Sequence, residues 1–266
     1  MRIIFIGDVV GSAGRDALQA HITPVFQKLK PDVLVVNGEN AAHGIGITPR
    51  IADEIFALGA DVITLGNHAF DKKDIMPYLA ENPRIIRPAN YPNGTVGQGL
   101  YVHTLKDGRK LAVINIMGRL FMDAIDDPFA KMDELLANLP TKCVFVDVHA
   151  EATSEKQCIA AYCDGRVSAV VGTHTHVPSA DARILAGGTA FQSDAGMTGD
   201  YDSIIGMKRD APLENFTKKV RTLKMEPAEG AGTLCGVVVD IDDVSGKALA
   251  IEPLRRGPHL KETPLV

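Results

Sequence analysis

Long apolar runs are missing from this sequence. No stretch approaches the roughly 20 residues that a membrane-spanning helix needs, and the opening "MRIIFIGDVVG" holds an apolar run too short for a signal-peptide core. Cysteine is scarce: Cys143, Cys158, Cys163 and Cys235 form no C-x-x-C pair and no disulfide framework. Together these absences lead us to expect a soluble cytoplasmic protein with reduced thiols. Positive charge is not in excess either. A formal net charge of −5 gives no general attraction to a nucleic-acid polymer or an anionic membrane. The one basic run, "KKVRTLK" from Lys218 to Lys224, suits a solvated face as well as a groove, so a polymer nuclease is disfavoured. Repeats, low-complexity tracts and linker-like composition are absent, and a single domain over residues 1–266 is the economical reading.

What the chain does have is ordinary globular composition, with 45% hydrophobic and 23% charged residues, enough to bury a large core. Short β-rich runs recur: "RIIFIG", "DVLVVNG", "DVITLG", "KLAVINI", "KCVFVDV", "VSAVVG" and "TLCGVVVDI". Most are continuously apolar rather than alternating, as strands buried on both faces are. Helical patterns fall between the early ones. Arg15 to Leu29 has helical spacing with a kink expected at Pro24, and Thr48-Pro49 reads as the cap and first turn of a helix through Leu58. The alternation predicts a layered α/β fold. A hairpin is expected at Lys106-Asp107-Gly108-Arg109, and the segment from Ala195 to Lys224 can hold a small helical cap.

The residues that follow each apolar run are the informative ones. Asp8 follows the first, Glu39 and Asn40 the second, Asn67 and His68 the third; His149 ends "KCVFVDV" in "VDVH", and His174 and His176 follow "VSAVVG". Taken singly, Asp8 reads as a turn residue, Gly66-Asn67-His68 as a tight turn, and His174-x-His176 as a surface pair. Five strand ends delivering carboxylate, amide or imidazole are harder to explain one by one. In open α/β sheets ligands bind at the carboxyl ends of strands. If the strands share one sheet edge, these side chains converge there. Oxygen and imidazole without thiolate suits Mn²⁺, Fe²⁺ or Zn²⁺. So many ligands fit two ions sharing a carboxylate, the ~3.5–4 Å clamp used for in-line phosphoryl displacement. "GDVVGSAG" matches neither G-x-G-x-x-G nor a P-loop, so nucleotide binding of those kinds is excluded. His21 reads as structural or solvent-facing, His103 in the hairpin region as chemically silent, and His43 lies close enough in sequence to touch substrate.

These blocks resemble the calcineurin-like metallophosphoesterases, with "GD" after the first strand, "GNH" after a middle one and "GTHTH" after a late one. Two blocks depart from the general pattern: Val9-Val10 replaces the histidine of the first block, and "NGENAAHG" places Glu39 where an aspartate is usual. Both departures are similar to one branch, the YmdB-like phosphodiesterases, as are "VDVHAEATSEK", "VGTHTHVP" and "SDAGMTG". The resemblance implies a layered β-sandwich flanked by helices. It also implies a two-metal phosphodiesterase acting on 2′,3′-cyclic nucleotides or related small phosphodiesters, through a metal-activated hydroxide. Carried over residue by residue, it places Asp8, Glu39, Asn40 and His176 on one cation and Glu39, Asn67, His149 and His174 on the other. Iron or manganese is the expected metal, with zinc or magnesium as alternatives. His68, left without a metal, becomes the candidate general acid. Asp71 then either orients His68 or caps a helix, and Glu151, Thr153 and Ser154 are candidates to support the ligands. A phosphomonoesterase, or a metal-dependent nucleotide sensor affecting RNA turnover, are the competing readings. Homo-oligomerisation is compatible with the chain, and nothing in the sequence fixes its state.

Overall fold

The computed structural model describes residues 1–265. In the first half, β1 (Arg2–Ile6), α1 (Gly11–Leu29), β2 (Val33–Asn37), α2 (Pro49–Ala57), β3 (Val62–Thr64), α3 (Ile75–Glu81) and β4 (Ile85–Ile86) alternate strictly. There follow β5 (Leu100–Thr104), β6 (Lys110–Met117), α4 (Pro128–Leu136), β7 (Val144–His149), α5 (Thr153–Cys163), β8 (Ala169–Thr173), β9 (Arg183–Ile184) and β10 (Ala190–Gln192). The chain closes with α6 (Asp210–Lys218), β11 (Leu234–Ile241) and β12 (Ala248–Arg256). All seven apolar runs are strands.

The strands divide between two six-stranded sheets, ordered β12-β11-β1-β2-β3-β4 and β5-β6-β7-β8-β10-β9. The first runs parallel from β1 to its edge strand β4, with antiparallel β11 and β12 at the other margin; the second has a parallel centre of β6, β7, β8 and β10 between antiparallel β5 and β9. Side-chain alternation explains why the runs are continuously apolar. Ile3 and Phe5 of β1 point into the space between the sheets, where the Phe5 and Phe145 rings lie 5.0 Å apart. Ile4 and Ile6 point the other way, onto Leu18, Ile22 and Val25 of α1. On the far sheet Ile114, Val146 and Val148 pack beneath Met132 of α4 and Ile159 of α5. The result is a helix–sheet–sheet–helix sandwich, the layered α/β fold expected.

The helices differ from expectation in detail. α1 starts at Gly11, four residues early, and runs on through Pro24. Pro24 and Ala20 both lie on the exposed face, where water can satisfy the carbonyl that proline leaves without a donor. Thr48 caps α2 as expected, its hydroxyl accepting from Ile51 N at 3.4 Å. The hairpin joining β5 and β6 closes through Leu105 N to Arg109 O at 2.8 Å. Between Ala195 and Lys224 only α6 is helical, and no helix among the described residues is long and apolar enough to cross a membrane.

One expectation about placement needs correcting. The ligand-bearing strands do not share one sheet edge: β1, β2 and β3 belong to one sheet, β7 and β8 to the other. The candidate residues still converge, because the sheets stack face to face and direct the carboxyl ends of their parallel strands to the same rim.

Candidate metal centre

Each strand hands over its polar residue where pairing stops. Asp8, Glu39 and Asn40 emerge beyond β1 and β2 and are buried, as is His149, the last residue of β7. Asn67 and His68 leave β3 through Gly66, where no side chain fits. A Cβ at Gly66 would lie 2.2 Å from Glu39 Oε2 and 2.4 Å from His149 Cδ2. Beyond β8 the backbone turns sharply, with positive φ at both His174 (97°) and His176 (66°). Such conformations are costly for residues with a Cβ and persist where the surroundings hold them.

The side chains meet around one nitrogen. His149 Nε2 lies 2.8 Å from Asn67 Oδ1, 3.0 Å from Glu39 Oε1 and 3.0 Å from His174 Nδ1. One ring N–H cannot serve three such neighbours, whereas a cation placed among them would. Glu39, His149 and His174 each offer a ligand atom within 4.8 Å of the others. Alongside, Asn40 Nδ2 lies 2.9 Å from His176 Nε2, and Asp8 Oδ2 accepts from His174 N at 3.2 Å.

Three buried oxygens here, Asp8 Oδ1, Glu39 Oε1 and Asn40 Oδ1, find no hydrogen-bond partner among the described residues. Glu39 Oε1 is close to His149 Nε2 but is not aligned for a hydrogen bond. Buried polar atoms are rarely left without a partner, and each costs roughly 1–3 kcal/mol when they are. Three from two strand ends, beside imidazoles, fit a site for hard-to-borderline divalent cations. Asp8, Glu39, Asn40, Asn67, His149, His174 and His176 could all supply ligands there.

A network that sequence reasoning missed sets the histidine tautomers. Thr173 Oγ1 donates to Asp147 Oδ1 at 2.7 Å and so accepts from His149 Nδ1 at 2.9 Å, leaving His149 Nε2 as the nitrogen that could ligate a cation. Asp147 Oδ2 accepts from Thr64 Oγ1 at 2.5 Å and Asn37 Nδ2 at 3.0 Å, which ties the two sheets together under the site. Asn37 Oδ1 in turn accepts from Glu39 N at 3.1 Å. His176 donates Nδ1–H to Ile205 O at 2.8 Å, and His174 places Nε2 3.2 Å from Glu151 Oε2. Of the support candidates, only Glu151 therefore reaches a ligand; Thr153 begins α5, and Ser154 lines a separate hollow with Cys158.

The strained His174–His176 turn is gripped at its midpoint. Asp194 Oδ2 accepts from Thr175 N at 3.1 Å and Thr175 Oγ1 at 2.8 Å, and from the fully buried Lys156 Nζ at 2.8 Å. A buried ion pair of this kind holds a geometry more than it adds stability. "SDAGMTG" and "TSEK" contain both partners, but spacing alone could not pair them.

His68 stands beside this set. Its backbone N–H donates to Glu39 Oε2 at 3.1 Å, and its Nδ1 lies 2.6 Å from Asp71 Oδ2. Asp74, not Asp71, sits at the N-cap of α3, which leaves Asp71 in contact with His68 rather than capping the helix. His43 is exposed and does not line the cavity, while its neighbours Gly44 and Ile45 do. His103 pairs with Asp61 at 3.6 Å, remote from the cluster.

Electrostatics follow from burial and crowding. Burial pushes the Glu39 carboxyl up, but the His149 charge outweighs it and leaves the group below the usual range. Burial pulls His149 down, and the Glu39 and Asp8 charges reverse this and raise it. Burial and then the neighbouring His149 lower His174, so it stays neutral and able to ligate. Burial pushes Asp8 up, against the pull of His176 and His149. A metal ligand must be deprotonated, so cation binding would compete with the proton that the Glu39 and Asp8 charges favour on His149.

The chain is similar to known proteins along nearly its whole length. The model of the YmdB-like protein family matches residues 4–254. A Bacillus subtilis (strain 168) protein named 2′,3′-cyclic-nucleotide 2′-phosphodiesterase is 51% identical over 254 residues, covering 95% of this chain and 96% of that protein. The crystal structure of a hypothetical protein from Thermus thermophilus superposes with a TM-score of 0.91 at 41% identity, covering 97% of this chain and 99% of that one. That of a novel phosphatase from Mycoplasma pneumoniae gives 0.92 at 31% identity, with coverage of 97% and 93%.

Proposed function

The chain belongs to the YmdB-like family, and we propose that it is a metal-dependent phosphodiesterase opening 2′,3′-cyclic nucleotides to nucleoside monophosphates. The observation that carries this reading is the trio of buried, unpartnered oxygens on Asp8, Glu39 and Asn40 facing four ligand-capable side chains. Asp8, Glu39, Asn40 and His176 would hold one divalent cation, and Glu39, Asn67, His149 and His174 the second. Iron or manganese suits this thiolate-free set best. Such a pair supplies a low-pKa water near neutral pH and neutralises charge on the phosphoryl oxygens.

The chain's own residues do the rest. Glu39 and Asp8 supply the negative charge that fixes the cations, and Thr173 and Ile205 hold His149 and His176 with Nε2 facing inward. His68 lines the same cavity and has no place in either ligand set. With Nδ1–H donated to the Asp71 carboxylate, His68 acts as the imidazolium, and its second N–H, on Nε2, is the donor to the departing ribose oxygen. In the sense named for the Bacillus subtilis relative, that oxygen is O2′: water adds across the P–O2′ bond, its oxygen going to phosphorus; O2′ leaves with the His68 proton, the proton lost by water restores His68, and a 3′-monophosphate results. We place the enzyme in the cytoplasm, where reduced thiols and a small phosphodiester substrate are both expected.

Protein loaded with Mn²⁺ should convert 2′,3′-cyclic AMP to the monophosphate, and Asp8→Ala should not. No turnover by metal-replete wild type would overturn the reading. Thr173→Val should lower metal affinity by about 10–100-fold, because it removes the hydroxyl relay between His149 and Asp147 without changing side-chain shape. Calorimetric titration with Mn²⁺ checks this, and unchanged affinity would remove the relay from the account.

A further inference from the structure

The candidate centre opens into a cavity of about 430 Å³ with two unlike faces. One face presents Glu39, Asn40, His174 and His176 of the ligand set, together with His68. The other is built from Ile45, Ile205, Met207 and Met225. Three of these are well exposed for large apolar side chains: Ile45 at 38%, Ile205 at 53% and Met225 at 44%. Exposed apolar groups gathered on one wall of a polar cavity mark a binding surface more often than chance.

That wall is held in place. Ile204 and Met207 exchange backbone hydrogen bonds at 2.9 and 3.0 Å, and Lys208 N donates to Glu226 O at 2.8 Å, so Met207 and Met225 sit on paired backbone. Ile205 has positive φ (46°) while its carbonyl holds His176 Nδ1, which links the wall to a candidate ligand. Gly44 approaches so closely that a Cβ would lie 2.9 Å from Met207 Cε. The polar side chains of the cavity are meanwhile committed elsewhere. Thr175 donates to Asp194, Glu151 faces His174, His68 faces Asp71, and the remainder belong to the proposed ligand sets. Among the described lining side chains, no amide or hydroxyl outside these commitments is left to meet a base edge.

We propose that Ile45, Ile205, Met207 and Met225 form a nucleobase-binding wall that grips the base by its face and does not read its edges. The inference rests on the cyclic-nucleotide reading above. Methionine sulfur contacts aromatic rings favourably and adapts to their shape, so purines and pyrimidines are both accommodated. Apolar contact discriminates by only about 10–200-fold, whereas a site that hydrogen-bonds its ligand reaches about 10⁴–10⁵.

The test is kinetic. The 2′,3′-cyclic phosphates of adenosine, guanosine, cytidine and uridine should differ in kcat/KM by less than about a hundredfold. A wider spread would overturn edge-blind binding. Met225→Ser and Ile45→Ser should raise KM for 2′,3′-cyclic AMP about tenfold relative to KM for methyl riboside 2′,3′-cyclic phosphate, which has no base, and Met225→Leu should restore the ratio. Equal effects on both substrates would refute the wall while leaving the phosphodiesterase standing. Wild-type protein inert towards every one of these diesters would instead defeat the activity on which the wall depends.

Discussion

Glu39→Ala is expected to lose bound metal and turnover together, with kcat falling beyond the roughly 10²–10³-fold cost of removing a single electrostatic contact to the reacting group. The reason is the carboxylate's central position. It is fully buried, its Oε1 has no hydrogen-bond partner, and it lies 3.0 Å from His149 Nε2 while Oε2 accepts the His68 amide. It is the one residue proposed for both cations, so its loss removes charge from each. Glu39→Gln keeps the volume and the contact to His68 N but not the charge, and separates electrostatics from packing around Gly66. Metal content by mass spectrometry, measured beside turnover, checks both variants. A fully metallated, active Glu39→Ala protein would sink the assignment.

His68→Ala should do the opposite with the metal. The imidazole lies outside both ligand sets, so cation content should match wild type while turnover of 2′,3′-cyclic AMP falls by about 10²–10⁴-fold, the usual worth of a positioned proton donor. The loss should shrink as the leaving group improves, because an activated phenolate departs without protonation and a ribose alkoxide does not. Asp71→Asn should show the same leaving-group trend more weakly, since it disturbs the orientation held by the 2.6 Å contact without removing the donor. Comparing cyclic nucleotides with aryl diesters measures this directly. An equal loss on both, or depletion of metal, would take the acid role from His68.

Much of the fold and of the candidate site is legible in the amino-acid pattern. The runs around Ile3–Ile6, Leu34–Val36 and Val144–Val146 are continuously apolar because each strand is covered on one side by the other sheet and on the other side by helices. Asp8, Glu39, Asn67, His149 and His174 stand out because a polar residue directly after such a run marks where the strand leaves the core. Asp147 is not legible in this way. It lies inside β7, where a lone carboxylate looks like an ordinary interruption, and its partners Asn37, Thr64 and Thr173 come from three other strands. Nothing local distinguishes it.

Strand order, the fate of Asp71, the Lys156–Asp194 pair and the apolar wall are equally hidden. Wall residues Ile45 and Met225 are far apart in sequence, and each alone is an unremarkable surface side chain. Local pattern is enough to specify the strands, the helices between them and the polar residue at each strand end, because hydrophobic periodicity and its interruption are properties of short stretches. Packing settles the remainder: that those ends come from two stacked sheets, which proton each histidine keeps, and what faces the metal site across the cavity. Each of these depends on which surfaces meet, and long-range contact is written in no single stretch of residues.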